Sequence, residues 1–141
     1  MNYISLDLEL NNNPDGSTPN PKIIQVGISV GNLNDSILLT QNWLIDPFED
    51  IYPFITSLTG ITDSDIAENA TPLEKVANDL SAIITQYNCF VNPITWGAGD
   101  ATYLIKEFKD NDIRFPHFGR RELDIKQLYI FLMQAQNKSP K

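Results

Sequence analysis

The sequence predicts an α/β domain: a mixed sheet that starts with three antiparallel strands, continues with parallel ones, and carries helices packed on it. Three observations predict it. Residues 2–10, 22–31 and 37–45 are rich in β-branched and apolar residues and are separated by segments of turn composition. Residues 73–87 then change to the period of a helix. From there to the end of the chain, strand-like and helix-like segments alternate.

The first segment, Tyr3-Ile4-Ser5-Leu6-Asp7-Leu8-Glu9-Leu10, alternates like a half-buried strand. Residues 11–21, rich in Asn and Pro, form a loop. Lys22-Ile23-Ile24-Gln25-Val26-Gly27-Ile28-Ser29-Val30-Gly31 is the second strand, Asn32 to Ser36 a turn, and residues 37–45 a third strand ended by Asp46-Pro47. Residues 53–60 suit a short helix with Gly60 as its stop. Thr62 can cap a brief helical turn through Ile66. Thr71-Pro72-Leu73-Glu74 has the wording of a capping box with proline at the first helical position. Apolar residues at 73, 76, 77, 80, 83, 84 and 87 follow on one helix face. Residues 89–96 return to strand character, interrupted by Pro93. Asp100 opens another helix with Tyr103, Leu104 and Phe108 inward. Residues 111–121 are loop, Glu122 to Ile125 a short strand, and Gln127 to Gln136 a last helix.

The 141 residues are expected to form one domain, with ordinary globular composition of 42% hydrophobic and 20% charged residues. The single cysteine, Cys89, excludes an internal disulfide and a cysteine-based zinc site, and its apolar neighbours suggest a small core residue. The N-terminus has no basic stretch followed by a long apolar run, and no segment approaches the length of a membrane span. The expectation is therefore a cytoplasmic protein without a membrane partner. The net charge of −8 is unevenly spread. Residues 1–105 hold 13 acids against 2 bases, whereas residues 106–141 hold 8 bases against 5 acids. Those bases are Lys106, Lys109, Arg114, Arg120, Arg121, Lys126, Lys138 and Lys141. They suit either a solvated helix face or contact with phosphate.

The chemistry concentrates in three acids. Asp7 and Glu9 stand two apart on one strand, so their side chains share a face and repel each other. A fold tolerates that pair where water solvates it, or where a hard divalent cation such as Mg²⁺ or Mn²⁺ lies between the carboxylates. Asp100 follows Trp96-Gly97-Ala98-Gly99, a strand end bent by two glycines, and stands near a helix N-terminus. It suits a helix cap or a third ligand, and the glycines suit a close backbone approach to a ligand.

In its ordered motifs the chain resembles the DnaQ-like, or DEDD, 3′–5′ exonucleases of the ribonuclease H-like fold. It is most similar to the branch containing the histone-mRNA 3′-end exonuclease. Asp7-Leu8-Glu9 matches the first exonuclease motif, and Lys22-Ile23-Ile24-Gln25-Val26-Gly27 the strand after it. Ile55-Thr56-Ser57-Leu58-Thr59-Gly60-Ile61-Thr62 matches the branch's segment beside the substrate's 3′ end. Asp100, with Trp96-Gly97 before it and Leu104 after it, matches the second motif, and Leu123-Asp124-Ile125-Lys126 resembles the strand that follows.

The resemblance implies that Asp7, Glu9 and Asp100 hold two divalent ions, Mg²⁺ or Mn²⁺, across a scissile phosphate. It implies release of nucleoside 5′-monophosphates from the 3′ end of RNA or single-stranded DNA. Leu8, Leu10, Phe54 and Leu58 would wall the terminal base, with core packing as the other role open to Phe54 and Leu58. Backbone groups of Thr59 and Gly60 would hold the terminal sugar. The chain departs from the family in its third motif, a histidine followed five positions later by an acid on one C-terminal helix. The only histidine, His117, lies in Phe115-Pro116-His117-Phe118-Gly119, ahead of the strand that should precede that motif. The expected domain is therefore exonuclease-like but C-terminally incomplete, holding either the family's two ions or one. The alternative function is a catalytically impaired module that binds nucleic acid or a protein partner.

Overall fold

The computed structural model describes residues 1–34 and 37–140. Its elements are β1 (Tyr3–Asn11), β2 (Lys22–Gly31), β3 (Leu39–Leu44), α1 (Pro53–Thr59), α2 (Asp63–Asn69), α3 (Leu73–Gln86), β4 (Ile94–Thr95), α4 (Asp100–Asp110), β5 (Leu123–Asp124) and α5 (Ile125–Ala135). The sheet order is β3-β2-β1-β4-β5. β1 runs antiparallel to β2, and β2 to β3, while β4 is parallel to β1 and β5 to β4. This is the predicted mixed sheet, of ribonuclease H-like architecture. The predicted turn over 32–36 lies partly outside the described residues.

Strand alternation splits the sheet into unlike faces. Ile4 and Leu6 on β1, Val26, Ile28 and Val30 on β2, and Trp43 on β3 are buried against Val76, Ala77, Leu80 and Ile84 of α3 and Ala101, Leu104 and Phe108 of α4. The opposite face presents Ser5 and Asp7, Gly27 and Ser29, and Thr40 and Asn42, which the strand register sets side by side. That second face forms an open concavity.

A register shift between Glu9 and Leu10 explains why two consecutive isoleucines are both buried. Glu9 pairs with Gln25 and Leu10 with Ile23, so Ile24 is the extra residue of a β-bulge. Ile23 joins the main core, and Ile24 turns to the other side, where it meets Ile51, Ile55, Ile61 and Ile66. The bulge therefore anchors α1 and α2 on the Asp7–Glu9 side of the sheet. Asn11 fastens the same junction from within. It is fully buried, donates to Glu49 Oε1 (2.9 Å) and the Asp50 carbonyl (3.0 Å), and accepts from the Tyr52 N–H (2.9 Å).

Local signals account for most element ends. Gly60 closes α1 in the left-handed region at φ 79°. The capping box belongs to α2, where Thr62 and Asp65 bond reciprocally, and not to the predicted Thr71–Glu74. α3 begins after Pro72 with no side-chain cap, because Thr71 is drawn away: its N–H bonds to the Leu44 carbonyl. The predicted strand over 89–96 shortens to Ile94–Thr95, preceded by an isolated bridge from Asn2 to Cys89. Pro93, with no N–H to offer a neighbour, limits the ladder. Cys89 is half-buried against the main core, as expected. Among the described residues no helix is long and apolar enough to cross a membrane.

Candidate active site

The site forms where β1 outruns β4. Only Ser5 of β1 pairs with β4, at Ile94, so the β1 edge beyond it is free of strand hydrogen bonds on that side. The chain leaves β4 through Trp96-Gly97-Ala98-Gly99 and enters α4 at Asp100. Gly97 and Gly99 take φ values of 93° and 123°, a left-handed region that side chains disfavour, so the turn depends on glycine. Gly99 is the N-cap and Asp100 the first helical residue, so Asp100 is not the cap the sequence allowed it to be.

Freed from capping, the Asp100 carboxyl reaches β1. The backbone N–H of Leu8, between Asp7 and Glu9, lies close enough to favour the carboxyl's charged form. Burial raises its pKa most, the charges of Asp7, Glu122 and Glu9 add to that, and the group stands at about 6. Glu9 is also raised, first by burial and then by Asp7. The three acids thus share one electrostatic locus although 91 residues separate Glu9 from Asp100. Among the described residues, however, no three His, Cys, Asp or Glu side chains are grouped closely enough to hold a metal ion.

Two acids from the β5 segment hold the loop. Glu122 accepts from the N–H of Gly99 (3.1 Å) and from the N–H and hydroxyl of Thr102 (both 3.2 Å). Asp124 Oδ1 accepts from the N–H groups of Gly97 (3.0 Å), Lys126 (3.0 Å) and Gln127 (3.3 Å), capping α5 while pinning the loop. Nothing in the sequence pattern announced the Glu122 clamp. It acts through backbone donors 20 and 23 residues away. Asn11 was equally hidden, because it reads as the start of an Asn-rich loop.

The expected base wall divides. Phe54 and Leu58 stand exposed on α1, 44% and 68% accessible, so core packing is not their role. Leu8 and Leu10 lie on the core face of β1 and pack half-buried against the main core. Thr59 donates its hydroxyl to the Ile55 carbonyl (2.8 Å) and accepts from the Ile61 N–H (3.1 Å). The Gly60 N–H already bonds to Thr56 O (2.8 Å), which leaves the Gly60 carbonyl as the group it has to offer. His117 lies in the 111–122 loop, its ring edge-on to Phe115 at 5.3 Å, within an aromatic group that includes Phe118.

No family model matches the chain, and no curated protein matches it in sequence. Solved structures do match. A full-length 3′-exonuclease superposes with TM-score 0.79 at 16% identity, over 94% of this chain and 46% of its own. Cell-death related nuclease 4 (CRN-4) superposes with TM-score 0.80 at 17% identity, over 99% of this chain and 50% of its own. E. coli Exonuclease I in complex with a dT13 oligonucleotide gives TM-score 0.69 at 12% identity, over 96% and 30%. The chain has the fold of these nucleases. At such identities the likeness is one of fold, and the chain spans half or less of the length of the structures it matches.

Proposed function

We propose that residues 1–141 form an exonuclease-like domain that removes nucleoside 5′-monophosphates from the 3′ end of RNA or single-stranded DNA. The observation that supports this most is that the Asp100 carboxyl lies near enough to Asp7, Glu9 and the Leu8 N–H to feel all three.

A divalent ion suits these residues chemically. The donors are carboxylate oxygens, the hard ligands that Mg²⁺ and Mn²⁺ take, and two of the three acids have pKa values raised first by burial and then by neighbouring negative charge. Asp7, Glu9 and Asp100 would hold it. The chemistry a bound ion supplies is Lewis acidity toward a phosphodiester and the water that attacks it. The protein's own contribution is positional. β1 fixes Asp7 and Glu9 two residues apart on a paired strand, and the Glu122 and Asp124 clamps fix the loop that carries Asp100. Exposed Phe54 and Leu58 offer apolar surface to a terminal base, with the Thr59–Gly60 helix end beside its sugar. Among the branches of the exonuclease fold, the Leu58–Thr62 wording favours that of the histone-mRNA 3′-end exonuclease.

The test is release of mononucleotides from a 3′-labelled single-stranded oligomer with Mn²⁺, compared with Asp7→Asn, Glu9→Gln and Asp100→Asn. Metal-dependent release that each substitution abolishes supports the reading; release that survives all three rejects it. A second reading, a nucleic-acid-binding module with impaired catalysis, is favoured by the lack of a three-donor group among the described residues. Under it the oligomer binds but is not shortened.

A further inference from the structure

The bare sheet face holds a cavity of about 390 Å³ with Asp7 at its rim and Ser5, Thr40, Asn42, Trp96 and Ile125 in its lining. Trp96 is unusual there. The other tryptophan, Trp43, is buried in the core with its indole N–H on Asp79 Oδ2 (3.2 Å), whereas Trp96 is 57% exposed. An indole left largely in water contributes little to folding, and it is a ready surface for stacking. It is also held in place. Tyr129 of α5 leans on it, with ring centroids 5.6 Å apart and planes inclined at 46°. The next residue, Gly97, is pinned to Asp124, and the aliphatic stem of Lys126 runs alongside Gly97. One exposed aromatic plane and a polar floor of Ser, Thr and Asn side chains therefore line the cavity that Asp7 also lines, and the Lys126 stem passes Gly97 next to Trp96.

We propose that this cavity is a nucleotide subsite for the single strand whose end is cut at Asp7, Glu9 and Asp100: Trp96 stacks a base, and Lys126 meets the adjoining phosphate. The inference rests on the exonuclease reading for the direction of the strand. Its chemistry does not depend on that reading. Stacking on an aromatic plane beside a cation is how proteins hold single strands with little regard to sequence, since every base has a π-face.

The proposal is tested in EDTA, where no hydrolysis interferes, with short dye-labelled oligo-dT and oligo-rU as probes, by tryptophan fluorescence of the wild type and by anisotropy of the labelled strand for every variant. Saturable quenching of the wild type is expected, and Trp96→Phe is expected to retain part of the affinity. Trp96→Ala is expected to weaken binding about 10-fold. Lys126→Gln is expected to weaken it and to reduce the salt slope of log K by about 1. Two results overturn the proposal. One is unchanged affinity in Trp96→Ala. The other is a blue shift of Trp96 emission that rises with protein concentration alone, with a dimer in sedimentation, which would assign the face to a second copy. The two readings separate cleanly. Quenching and a Trp96→Ala effect without any cleavage would keep the subsite and reject the exonuclease. Cleavage whose KM and binding ignore Trp96→Ala would do the reverse.

Discussion

The Asp100 carboxyl lies beside the backbone N–H of Leu8, the residue that separates Asp7 from Glu9. The first turn of α4 thus meets the free edge of β1. The N–H opposes the rise in pKa caused by burial and by the neighbouring acids, but it does not cancel it, and the group remains at about 6. The acids of the site repel one another, and the first two predictions follow from that.

The first concerns pH. In the unfolded chain Asp100 titrates near 3.8, and in the folded protein at about 6. Between those values the folded state keeps a proton that the unfolded state has released, so this group's contribution to stability falls as pH rises and its cost is complete above about pH 6. Glu9, also raised, acts in the same sense. Asp100→Asn is therefore expected to melt above the wild type at about pH 7.5 without metal, with the gap closing toward about pH 5. Thermal scans at the two pH values check it. A gap that widens on acidification would mean that the carboxyl is stabilised in its charged form.

The second concerns metal. Mg²⁺ or Mn²⁺ is expected to raise the melting temperature at about pH 7.5, since a ligand that binds only the folded state stabilises it by mass action. Asp7→Ala should remove that response. No heat of binding at millimolar metal in calorimetry would show that these carboxylates do not form a competent ion site.

The third concerns Asn11. Its three hydrogen bonds tie the end of β1 to residues 49–52, the segment that leads into α1. Asn11→Ala leaves the Tyr52 N–H without its acceptor and opens a void, and a cost of about 2 kcal/mol is expected in urea unfolding. Amide exchange should quicken first in α1, where Phe54 and Leu58 are displayed. Uniform loss of protection across the sheet would mean that Asn11 is not specific to that junction.

How far the sequence revealed this site depends on the range of the interaction. The alternation of β1, the period of α3 and the glycine stop at Gly60 are local, and each was legible. The acid pair Asp7–Glu9 was legible because strand geometry alone puts i and i+2 on one face. The approach of Asp100 to Asp7 and Glu9 was legible only through the ordered motifs, because its local pattern equally suits a helix cap. Three things were not legible. Glu122 works by accepting backbone N–H groups from a distant loop, which no side-chain pattern encodes. The bulge at Ile24 reverses the facing of Ile23, and a run of two isoleucines reads the same with or without it. The bare polar face of the sheet depends on which elements come to cover it, a matter of tertiary packing.

The fourth prediction tests a buried defect. The strand register puts Ile94 on the face of Ser5, so Thr95 points into the core, where its hydroxyl is buried without a partner among the described residues. Thr95→Val keeps the shape and removes the unsatisfied group, and a gain of about 1 kcal/mol in urea unfolding is expected. A loss of stability would mean that the hydroxyl has a partner, such as a bound water, that its neighbours order.

The last prediction concerns rate. Water attack on a phosphodiester needs its proton removed, and a positioned base is typically worth about 10²–10⁴-fold. The one histidine, His117, rests edge-on against Phe115 in a loop and belongs to that aromatic group. Asp100, at about 6, is the titratable group poised nearest neutrality at the site, but a carboxyl serving as an ion ligand is a poor base at the same time. The 141-residue chain is therefore expected to release 5′-mononucleotides from a 3′-labelled oligomer only slowly, even with Mn²⁺, while binding the strand in a salt-sensitive way through its basic 106–141 segment. His117→Ala should leave that slow rate unchanged. Brisk metal-dependent turnover by this chain, lost in His117→Ala, would show that the loop swings His117 onto the site. Brisk turnover unaffected by the substitution would place the base in the substrate or in a partner chain.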